Sequence, residues 1–68
     1  MKLANVKVGM KVLVKDKGES LFFERNLGRV GVVNEVVADE NRIWLKFGDG
    51  DLDYGNPRDL KRVKEQSQ

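Results

Sequence analysis

The chain has 68 residues, a net charge of +2 and a pI near 9.1, with neither cysteine nor histidine. That length holds one small domain, which buries only about 60% of the surface its unfolded chain exposes. The missing residue types exclude disulfides, thiolate metal sites and imidazole chemistry.

Hydrophobic residues make up 40% and charged residues 35%, the balance of a folded domain rather than a disordered chain. No apolar run approaches the roughly 18 residues of a membrane span, and the N-terminus lacks the unbroken apolar stretch of a signal peptide. A cytoplasmic protein with no membrane contact is therefore expected. Charge is unevenly spread. Lys2, Lys7, Lys11, Lys15 and Lys17 face Asp16 alone, the segment 39–59 is acidic, and LKRVKE is basic again.

In chain order, Val8-Gly9 precedes a first strand, KVLVK, with Val12 and Val14 on one face and Lys11, Leu13 and Lys15 on the other. KDKGESLFFERNLG forms a long first loop with at most one loose turn in SLFFERNL. GRVGVVNEVVA is too long for a short strand without a bend, which Gly31 is expected to mark. ADEN has hairpin-turn composition. RIWLKF then sends Ile43, Leu45 and Phe47 to one face and Arg42, Trp44 and Lys46 to the other. GDG is a second tight turn, with Gly48 and Gly50 supplying positive φ. Asn56-Pro57-Arg58-Asp59 suggests a single turn before a last strand, LKRV. Residues 1–64 thus form one domain, and EQSQ at 65–68 is read as a frayed polar tail.

The expected fold class is all-β: a small five-stranded, strongly bent barrel whose closure removes exposed edges. VKVGMKVLVKD, GRVGVV, IWLKFGDG and YGNPRDLKRV together resemble Src-homology-3-like (SH3-like) small barrels over nearly the whole chain. The first two segments look like the KOW branch, and FGDG…DL looks more like Tudor-type barrels. The resemblance implies a fold in which the first and last strands lie side by side, and no particular function.

FGDGDLDYGNP is the one acidic constellation. Read as a calcium-binding EF-hand loop from Asp49, it needs glycine at the sixth position and glutamate at the twelfth, which are Tyr54 and Leu60. A hairpin turn with Asp49, Asp51 and Asp53 on one solvated face is expected instead. Threonine is also absent, and the only serines are Ser20 and Ser67. No nucleophile–base pair can be assembled, so neither an enzyme nor a cofactor or metal is expected.

Binding surfaces are the better candidates. Trp44 between Arg42 and Lys46 is a stacking platform flanked by cations, suited to single-stranded nucleic acid, unless the first loop covers the ring through Phe22 or Phe23. Lys7, Lys11 and Lys15 beside Lys61, Arg62 and Lys64 would make one basic patch from the two chain ends, suited to phosphates; the alternative is a solvated lysine face. The principal expectation is a non-catalytic module contacting nucleic acid or a nucleoprotein machine. The alternative is a protein adaptor or small inhibitor that uses Phe22 and Phe23 with a groove at Trp44 and Tyr54. In that loop, either both rings form a lid over the barrel end or one is exposed as a contact anchor. A homo-oligomer is left open by the thin core.

Overall fold

The computed structural model describes residues 1–64, so the tail expected at 65–68 lies outside the described residues. Five strands succeed one another: β1 (Lys11–Val14), β2 (Val30–Val37), β3 (Arg42–Lys46), β4 (Leu52–Gly55) and β5 (Leu60–Arg62). Four single 3-10 turns, at Leu3–Asn5, Glu24–Asn26, Ala38–Glu40 and Pro57–Asp59, complete the described residues, which contain no α-helix.

All strands pair antiparallel in one sheet of order β4-β3-β2-β1-β5. The expected neighbourhood of first and last strands is present, with Val12 opposite Arg62, Leu13 opposite Lys61 and Val14 opposite Leu60. The sheet is open: β4 and β5 are edges, and no ladder joins them. Closure is therefore not how the edges are managed. β4 has four residues and β5 three, short enough to template little pairing, and the terminal ammonium of Met1 donates to the Leu60 carbonyl (3.3 Å).

Alternation sorts the side chains as the sequence predicts. Val12, Val14, Ile43, Leu45 and Phe47 are buried, joined by Val6, Phe22, Val33 and Leu60. Burying each aliphatic side chain contributes about 1.5–3 kcal/mol against chain entropy.

Two turn expectations are corrected. The bend in β2 is a register shift between Val33 and Glu35, not at Gly31. Gly31 is needed for packing: a Cβ there would sit 2.9 Å from the Phe47 ring. In the β3–β4 turn Gly50 alone takes positive φ (+88°), while Gly48 does not. The Pro57–Asp59 turn forms as expected, with Asn56 Oδ1 accepting from the Arg58 N–H.

Candidate functional site

Because β1–β4 send alternate side chains to the core, the remaining positions form an outer face whose neighbours are set by register. One row runs Lys11, Val32, Lys46, Leu52 across β1 to β4; a second runs Lys61, Leu13, Val30 across β5, β1 and β2. Lysine and aliphatic side chains alternate along the first row. Val30, Val32 and Leu52 retain 49%, 38% and 46% of their surface in solvent.

The candidate cations divide. Lys11 and Lys61 lie on this face and flank Leu13, and Lys46 lies across Val32. Lys15 comes directly after β1 and reaches the Arg58 carbonyl (3.4 Å). Arg62, opposite Val12, is exposed and lines one hollow with Met1, Met10 and Lys7 and a second with Lys11. Lys64 is exposed beyond β5. Basic residues of the two chain ends thus meet around Arg62, with Lys7 and Lys11, while Lys61 takes the opposite side of β5 from Arg62.

Trp44 is half-buried on the outer face. It is covered by Tyr54 rather than by the first loop, with ring centroids 4.9 Å apart and planes tilted by 49°. The two rings fill the space between them. Their corner is acidic: Glu35 lies opposite Trp44, and the Tyr54 hydroxyl donates to Glu40. That hydrogen bond, with desolvation second, raises the Tyr54 pKa above its ordinary value. Arg42 turns back to the carbonyls of Glu40 and Asn41 (3.3 and 3.1 Å). The Arg42–Trp44–Lys46 stripe exists on one face, but only its Lys46 end meets the basic rows.

The first loop and the acidic turn clamp each other. Arg25 binds Asp51 through two hydrogen bonds (both 3.1 Å), and Arg29 pairs with Asp49 (3.3 Å). Asp53 does not share their solvated face; it is buried beside Leu45, and its Oδ2 accepts from the Phe23 N–H and from Asn26 Nδ2 (both 2.8 Å). Strand alternation in β4 turns Asp53 inward, where these donors replace water. Asn26 is fully buried and also donates to Asp51, while Arg29 donates to its Oδ1. Sequence reasoning missed Asn26, because nothing local marks an asparagine as a tertiary hub. It also missed Asp59, a buried carboxylate 2.6 Å from Lys17 Nζ, an ion pair outside hydrogen-bond alignment.

The adjacent phenylalanines separate. Phe22 enters the core against Gly55, so one ring of the pair is buried, not two. Phe23 stays 53% exposed with the Arg25 guanidinium 4.4 Å from its centroid. No protein-family model, curated protein or solved structure matches the chain. Among the described residues, no group of carboxylates is arranged to hold a metal, and no helix is long and apolar enough to cross a membrane.

Proposed function

We propose that this protein is a non-catalytic docking module that engages a protein partner through the outer face of its sheet. The observation that carries this is the exposure of Val30, Val32 and Leu52 together on one solvated face. A sheet face meant only for water carries polar residues at such positions, whereas an interface centre is apolar with a charged rim. Exposed Phe23 extends the same kind of surface onto the first loop, in place of the Phe22–Phe23 pair. Strand order, the long first loop and the turn ahead of β5 support reading the chain as an SH3-like small barrel. The KOW-like and Tudor-like likenesses rest on their motifs. A photo-crosslinking residue at position 32 or 52 should give, in cells, adducts that protease removes. Adducts removed by nuclease alone would overturn the assignment.

Nucleic acid is the second partner class, favoured by the β1–β5 pairing that seats Lys61 beside Leu13, between Lys11 and Lys15. It would bind weakly, with little sequence readout and with affinity falling steeply as salt rises, whereas apolar docking responds little. Amide shifts on oligonucleotide titration at two salt concentrations separate the two. The Trp44–Tyr54 pair serves this class poorly, because its Glu35 and Glu40 neighbours repel phosphates.

A further inference from the structure

If the outer face docks a protein, the reading on which the present inference rests, then the chemistry of that partner is written in the rows of the face. Lys11, Val32, Lys46 and Leu52 succeed one another from β1 to β4, and Lys61 and Val30 flank Leu13. At about 4.8 Å per strand the longer row spans roughly 14 Å, and the two rows stand roughly 7 Å apart. Val32, Leu52 and Leu13 therefore each have a lysine as a cross-strand neighbour, while Val30 stands opposite Leu13. Among the described residues neither Lys46 nor Lys61 forms an ion pair, and no acid stands in either row. Among the described residues, Asp49 and Asp51 are matched by Arg29 and Arg25, Asp53 and Asp59 are buried, and Glu35 and Glu40 sit in the aromatic corner.

We propose that this face takes an acidic amphipathic protein segment, whose apolar side chains cover Leu13, Val30, Val32 and Leu52 while its carboxylates meet Lys46 and Lys61. Charge selects among occupants. A second copy seated face to face would oppose lysine to lysine, so self-association is disfavoured. A nucleic acid would bring phosphates to the lysines, but the valines and leucines between them offer its bases no stacking platform. An acidic segment satisfies both kinds of side chain at once.

The test is selection of a displayed random peptide library on the immobilised full-length chain, then NMR mapping of synthetic winners. Enriched peptides should combine Asp or Glu with Leu, Ile or Phe, and should shift the amides of residues 13, 30, 32, 46, 52 and 61. Val32→Asp and, independently, the Lys46→Glu/Lys61→Glu pair should each weaken binding at least tenfold while retaining dispersed spectra. Peptides with Lys in place of Glu should recover binding to the Lys46→Glu/Lys61→Glu protein, an outcome that misfolding cannot imitate. Winners that are basic, or that map to Leu21 and Phe23, would overturn the proposal while leaving protein docking intact. Absence of any peptide binder, together with oligonucleotide shifts on this face, would overturn both. Dimerisation through this face, or displacement of the peptides by anionic lipid vesicles alone, would also overturn the acidic-segment assignment.

Discussion

Asn26 shows how one small polar side chain holds distant segments together. Its amide donates to Asp51 and Asp53 in the β3–β4 turn and β4, and its carbonyl accepts from Arg29. Asn26→Ala removes all three bonds and strips one donor from a buried carboxylate. A loss of about 2–3 kcal/mol is expected in urea denaturation, the cost of an under-satisfied buried polar group. Gly55 is a steric counterpart. A Cβ there would lie 2.5 Å from Phe22 Cζ, because the ring stacks directly on the β4 backbone. Gly55→Ala should therefore cost about 1–3 kcal/mol by overpacking, read as a lowered thermal midpoint, and Phe22→Leu in the same chain should restore part of it. Neither residue announces itself: a buried asparagine and a glycine under a ring read locally as ordinary loop and turn residues.

At the scale of elements, the first loop stays in place by ionic and hydrogen-bonded contacts with the turn after β3. The hydrogen bond from Arg25, and next that from Asn26, holds Asp51 below the ordinary carboxylate range. Asp49 is lowered chiefly by the backbone N–H of Asp51, with Arg29 adding to it. For a group whose folded pKa lies below its unfolded one, the stabilisation is complete above the unfolded value and disappears as pH falls through the folded value. The clamp should therefore be intact at neutral pH and loosen below about pH 4. ¹⁵N relaxation should show residues 22–28 gaining motion at pH 3 while β1–β3 remain ordered. Equal loosening of both regions would mean that the clamp is not a separate unit.

For the whole molecule, the thin core and the outer face have opposite mutational signatures. Leu45 is fully buried in the core cluster, and Leu45→Ala should cost about 2–5 kcal/mol, a large share of a small domain's stability. Val30 and Val32 are exposed on the outer face, so Val30→Thr with Val32→Thr should leave the thermal midpoint within a few degrees. A large drop from the double variant would show that these valines serve folding rather than docking.

The five strands, their inward faces, the long first loop and the turn before β5 were legible in the sequence, because alternation and turn chemistry act between near neighbours. The open sheet, the Asn26 hub, the inward aspartate and the division between Phe22 and Phe23 were not, since each depends on residues from distant segments meeting. The outer face stood between the two. Its residues were marked as outward by period alone, yet only the register of β1 through β4 lined lysine against valine and leucine. Local periodicity determines which way a side chain points, and strand pairing alone decides what stands beside it.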